Sequence, residues 1–215
     1  MAYIIWSSSE DKYNASRALL VGDVEPMRAF LRKQSSYGSF SVGRRIPAEL
    51  VPVQARMDKG KRFYDCFNNF QFADGVSKRF KDLVEEIEPG VHQFFPVELF
   101  LQDGVTPYGE PFWLLNVATR VDAIALEHSN MYKQGEDGKT FGPVDFEGYS
   151  NGLAKYVEKS GLPSLITVYK DRIAGRALWC DHRFGARTFC SEAMMAGMRA
   201  QGMQGYGIKF TVNEI

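Results

Sequence analysis

The chain has 215 residues, with 26 Lys and Arg against 26 Asp and Glu, so its zero formal charge commits the molecule as a whole neither to nucleic acid nor to an anionic membrane. Three cysteines, Cys66, Cys180 and Cys190, are too few and too scattered for a secreted disulfide framework and fit free thiols in the cytoplasm. No apolar run approaches the roughly 18 to 20 residues of a membrane span, while an apolar fraction of 45% over this length is enough for one sizeable core.

In chain order, Tyr3, Ile4, Ile5 and Trp6 read as an opening strand, too short and without the basic lead-in of a secretory signal. Residues 12–21 fit a short amphipathic helix and irregular structure equally well. Over residues 24–33, Met27, Phe30 and Leu31 recur at spacings of three and four, with Pro26 where a first helical turn tolerates it, which predicts a helix. Residues 34–45 are rich in Ser and Gly and read as an exposed loop. Val51, Val53 and Ala55 alternate as an edge strand would, because Pro52 argues against a central one. The charged run 58–62 around Gly60 reads as a solvated turn; the aromatic side chains that interleave with cations in a nucleic-acid groove are missing there.

The clearest folding signal is residues 68–100, predicted as strand, capped helix, glycine turn and strand. Asp74 is the expected cap, with Val76, Phe80, Leu83, Val84 and Ile87 on one helical face. Pro89 and Gly90 stop the helix, and Phe95, Val97, Leu99 and Leu101 alternate as a half-buried strand. Residues 112–117 form the most apolar strand candidate, and 121–126 a further one. Residues 127–152 then make a long polar loop, of a kind often functional. Between residues 121 and 150 six acids face two lysines. The best candidate partner surface is therefore this loop, through Glu127, Glu136, Asp137, Asp145 and Glu147.

Residues 153–159 fit a short helix, 165–169 a strand, and 173–180 its hairpin partner. The chain closes by repeating its clearest unit. Over residues 188–215, Ser191 stands at the cap, Gly202 and Gly205 at the stop, and Ile208, Phe210 and Val212 in a last strand. Ala193, Ala196, Gly197 and Ala200 share one face, predicting a close approach to the sheet. The repeat pairs Phe72 with Phe189, Asp74 with Ser191, and residues 95–97 with 210–212.

Motifs for chemistry are weak. His92, His128 and His182 show no metal-ligand spacing, and Cys180, His182 and Cys190 read as structural because zinc requires a fourth ligand. No cysteine stands in a nucleophile motif. The glycines of 202–207 follow a helix and precede a strand, the reverse of a phosphate-binding loop, so they read as a helix stop. Glu85, Glu86 and Glu88 read as a solvated helix face, and Met194, Met195, Met198 and Met203 as core filler. No cofactor, metal or catalytic residue is assigned.

Residues 74–99, from Asp74 through the glycine turn to Phe95, Pro96, Val97, Glu98 and Leu99, resemble the hallmark segment of a family of bacterial immunity proteins encoded beside polymorphic toxins and secretion-system effectors. The ending 189–214 and the middle, Leu114 to Val117 and Val121 to Ile124, are similar to that family too. The resemblance covers residues 65–215 and, more weakly, the first 60. It implies a non-enzymatic protein that binds a cognate toxin and blocks its active site or substrate access. It carries no functional residues across. Two other readings stand beside it: a hydrolase that reverses a toxin's modification, and an adaptor subunit of a secretion apparatus. The expected fold is α+β, a mixed, largely antiparallel sheet with packed helices and two related strand-helix-strand units at 68–101 and 188–215, within a single domain 1–215. The partner expected is the toxin, with no nucleic acid and no membrane; the oligomeric state is not legible.

Overall fold

The computed structural model describes residues 1–7, 16–34, 40–41, 43–60, 62–129, 131–134, 140–143, 166–182, 184 and 187–215. The fold is α+β and mostly sheet, as expected. Strands β1 (Ala2–Ser7) and β2 (Arg17–Leu20) precede helix α1 (Glu25–Gln34). Next come β3 (Gln54–Lys59), β4 (Asn68–Phe70), β5 (Ala73–Ser77), α2 (Lys78–Ile87), β6 (Gln93–Phe100), β7 (Phe112–Asn116) and β8 (Arg120–Val121). A hairpin of β9 (Met131–Gln134) and β10 (Thr140–Pro143) follows. The chain ends with β11 (Thr167–Val168), a single-turn α3 (Lys170–Ile173), β12 (Leu178–Asp181), β13 (Thr188–Ser191), α4 (Glu192–Ala200) and β14 (Tyr206–Glu214).

Six strands close into a barrel in the order β2, β3, β6, β7, β5, β4. A second, curled sheet runs β11, β14, β1, β13, β12, β8. Alternation along the strands sorts the apolar side chains into three layers. Phe112 and Leu114 of β7 point into the barrel with Phe70, Phe63 and Leu99, and α1 adds Met27 and Leu31 to that core. Leu115 points the other way, with Val76, into a layer holding α2, α4 and the facing side chains Tyr3, Ile5 and Cys190 of the curled sheet. Ile4, Phe189, Trp179 and Val212 lie on that sheet's far face over Ile124, Ile166 and Val168.

The expected repeat is present and can be stated as topology. Strands β5 and β6, joined by α2, flank β7 and run antiparallel to it. Strands β13 and β14, joined by α4, flank β1 in the same way. In register, Phe112 pairs with Ser77 and Val97, and Ala2 pairs with Ser191 and Val212. Val97 therefore matches Val212, as the sequence suggests, but the partner of Ser191 is Ser77 and that of Phe189 is Gly75, Phe72 lying in the turn before β5. Ser77 Oγ accepts the Phe80 amide at 3.3 Å and Ser191 Oγ the Met194 amide at 3.2 Å, so each caps its helix.

Asp74 is not a cap. It lies in β5 opposite Leu115 and Asn69, where β pairing carries the chain three residues further before the helix starts. Val76 accordingly belongs to the strand, while Phe80, Leu83 and Val84 are the buried residues of α2. Past the helix, Gly90 takes a left-handed φ of 70°, the turn the sequence marked.

Other expectations change. Residues 17–20 are strand, because the barrel pairs them with β3 and β4; residues 12–15 lie outside the described residues. The 51–55 strand starts at Gln54, beyond Pro52, and is no edge, since β3 pairs on both sides within the barrel. Of 121–126 only Val121 is in a strand, with an isolated bridge at Ile124. Residues 173–180 do not form a hairpin with 165–169: a helical turn intervenes, and β12 pairs with β13 and β8. On α4 it is Met194, Met195 and Met198 that are buried, whereas Ala193, Ala196 and Ala200 are exposed. Gly197 is the one small residue in a close approach, and the approach is to α2: a Cβ there would stand 2.6 Å from Leu83 Cδ1. The 153–159 helix lies outside the described residues.

Candidate partner-binding face

Of the five acids expected to meet a partner, Glu127 alone is among the described residues; Glu136, Asp137, Asp145 and Glu147 lie outside them. Glu127 is exposed in a 3-10 turn (Leu126–His128), and its carboxylate accepts the Tyr169 hydroxyl. Nearby Asp122 stands 3.9 Å from Arg172, whose guanidinium also reaches the Asp122 carbonyl at 2.6 Å. The part of the 127–152 segment that is described includes the β9–β10 hairpin.

The most organised polar cluster lies elsewhere, where the end of α2 meets the curled sheet. Glu88, 4% exposed, accepts Arg176 Nη1 at 2.6 Å and the Ala177 amide at 2.8 Å, and pairs with His92 Nε2 at 3.1 Å. Burial alone raises the Glu88 pKa, but the bonds from His92, Arg176 and the Ala177 amide outweigh it and hold the carboxyl below its ordinary value. A carboxylate so enclosed has little freedom to exchange protons with a substrate. It acts as a tie between the barrel side and the 176–177 turn. Sequence reading placed Glu88 on a solvated face; it sits one residue past the helix, where the chain turns inward.

The remaining reactive groups are spread out. Burial pushes the Cys180 thiol up to about 12 and raises those of Cys66 and Cys190, and Cys180 Sγ donates to the Ser41 carbonyl at 2.9 Å. His92 is buried while His128 and His182 are exposed. Among the described residues no group of three or more His, Cys, Asp or Glu is placed to hold a metal ion. None of the described helices is long and apolar enough to cross a membrane.

An exposed face remains on the barrel, and its geometry follows from strand alternation. Ala18, Leu20, Ala55, Met57 and Leu99 fill the interior, so Leu19, Arg56 and Phe100 point outward. Cross-strand pairing sets these three in one row, Leu19 opposite Arg56 and Arg56 opposite Phe100. Beside the row an open groove of about 770 Å³ is bounded by Val21, Gln54, Gln71 and the 103–105 turn. Val21 is 45% exposed and Val105 74%. Gln71, at a left-handed φ of 60°, turns its side-chain oxygen onto the Leu20 amide at 3.0 Å. An arginine among partly exposed apolar side chains, rimmed by amides and carboxylates, has the composition of a protein-interface centre.

Residues 53–212 match the sequence model of an immunity protein family, Imm11, and the chain belongs to that family. No curated protein matches the chain at a significant level.

Proposed function

We propose that this protein binds a cognate bacterial toxin in the cytoplasm and neutralises it by covering the toxin's active site or substrate access, without chemistry of its own. Membership of an immunity family over residues 53–212 carries this reading. Its physical support is an exposed apolar and charged face on the barrel. In this reading the toxin belongs to a polymorphic or secreted system of interbacterial competition, and neither nucleic acid nor membrane is a partner. A single folding unit is part of this reading, supported by the core that side chains of the barrel and of the curled sheet share around α2 and α4. The acids of the 127–147 segment are a second contact that would speed encounter with a basic toxin surface.

The test is co-expression with the toxin domain encoded beside this gene, read as growth and as a purified complex. Restored growth together with a stable complex supports neutralisation by binding. Restored growth with no complex points instead to removal of the toxin's product or modification, and failure of both overturns the immunity reading.

A further inference from the structure

The row Leu19, Arg56 and Phe100 sets a fixed positive charge between two apolar side chains, on strands whose backbone is locked into a closed barrel. A guanidinium stays charged at any physiological pH. Among the described residues, none holds the Arg56 guanidinium in a hydrogen bond or an ion pair. Carboxylates around the groove are committed to their own surroundings: Asp58, on the same face of β3, pairs with Arg17. Glu98 accepts Gln54 Nε2 at 2.9 Å. Asp103 closes its own turn, accepting the Val105 and Thr106 amides at 2.9 Å each and the Thr106 hydroxyl at 2.6 Å, bonds led by that hydroxyl that hold its carboxyl below the ordinary range. Gly104 of the same turn lies directly over Arg56, 3.2 Å separating the Arg56 Cδ from where a Cβ would stand.

Any partner that covers Val21, Val105, Leu19 and Phe100 to gain apolar burial must also strip water from Arg56. Burying that charge without an acceptor is costly, whereas a carboxylate placed against it forms charge-assisted, two-pronged hydrogen bonds. Nucleic acid is disfavoured here, since Glu98 and Asp103 flank a lone arginine and repel a phosphate chain. We propose that the groove over Arg56 seats a protruding segment of the cognate toxin that presents an Asp or Glu side chain between apolar ones. This deepens the toxin-binding reading and rests on it.

The experiment measures the affinity of an active-site-inactivated toxin domain for the full-length protein and for Arg56→Glu, Arg56→Lys, Val105→Asp and, as a remote control, Lys170→Glu. Arg56→Glu is expected to weaken binding by about 100-fold or more, Val105→Asp by about 10-fold, and Arg56→Lys by an intermediate factor because an ammonium cannot make the paired fork. Lys170→Glu should leave binding unchanged. Replacing the matching toxin carboxylate with Arg should restore binding to Arg56→Glu and not to the parent. Parent-like affinity of Arg56→Glu overturns the groove assignment while leaving the immunity function standing; absence of binding by the parent protein overturns both. Circular dichroism and thermal unfolding of Arg56→Glu, which changes an outward side chain only, should match the parent, so that lost affinity reports the interface.

Discussion

The two strand-helix-strand units share one plan and use it in opposite settings. In the first, β5, α2 and β6 straddle β7 inside a closed barrel, and α2 packs through Phe80, Leu83 and Val84. In the second, β13, α4 and β14 straddle β1 inside an open curled sheet, and α4 packs through three methionines. Closure removes the strand edges of the first unit, and the row proposed to meet a partner lies beside it, on β2, β3 and the end of β6. The second unit receives the first against its helix, where unbranched methionines adapt to a neighbour and Gly197 lets Leu83 approach. The same motif is thus closed into a barrel in one copy and left in an open sheet in the other.

The largest stability effect expected from breaking that partnership is at Glu88. Glu88→Ala leaves His92 buried beside an unpaired Arg176 and an unbonded Ala177 amide, and should cost about 3–5 kcal/mol in urea unfolding. Because the folded Glu88 carboxyl is held below its ordinary value, its contribution is present above the unfolded carboxylate's pKa and disappears as pH falls through the folded one. Stability of Glu88→Gln should therefore fall less steeply on acidification than that of the parent.

Asp74, on the first unit's strand, has the opposite sign. Burial pushes its carboxyl up to about 6, so ionisation opposes folding: the penalty is absent below the ordinary value of 3.8, grows between there and about 6, and is complete above. Asp74→Asn should stabilise by about 1–3 kcal/mol at neutral pH and lose that advantage near pH 4, as thermal unfolding across this range would record. A true helix cap would behave in reverse, losing stability on replacement.

Smaller effects probe the contact between the units and their equivalence. Gly197→Ala brings a methyl into Leu83 and should destabilise by about 1 kcal/mol despite alanine's higher helix propensity; in a Leu83→Ala background the same change should become neutral or favourable. Additive double-mutant energies would mean the helices do not touch there. Ser77→Ala and Ser191→Ala should each cost about 1 kcal/mol, and similar values would confirm that the two caps are equivalent.

Much of this plan is legible in the linear sequence. Helical spacing marks Phe80, Leu83 and Val84, and alternation marks Phe95, Val97 and Leu99. The sequence does not separate the two cap candidates, because Asp74 and Ser77 are both good capping residues three apart, and only pairing of Val76 with Trp113 shows that the strand continues. The repeat held the corrective signal: Val76 before Ser77 and Cys190 before Ser191 are buried strand residues followed by a serine. The role of β1 as the centre of the second unit was not legible, since it pairs with strands almost the whole chain away. The groove was equally hidden, because Leu19, Arg56 and Phe100 meet only through barrel closure. The sequence draws attention instead to the acids of 127–147, where charge is concentrated along the chain.

On the reading proposed above, the immunity protein engages its toxin through the outer face of the barrel. Hydrogen exchange on the toxin complex tests it most directly. New protection concentrated in residues 19–21, 54–56 and 100–106 is the predicted result. Protection confined to the curled sheet or to residues 122–143, with the barrel face exchanging as in the free protein, would contradict it.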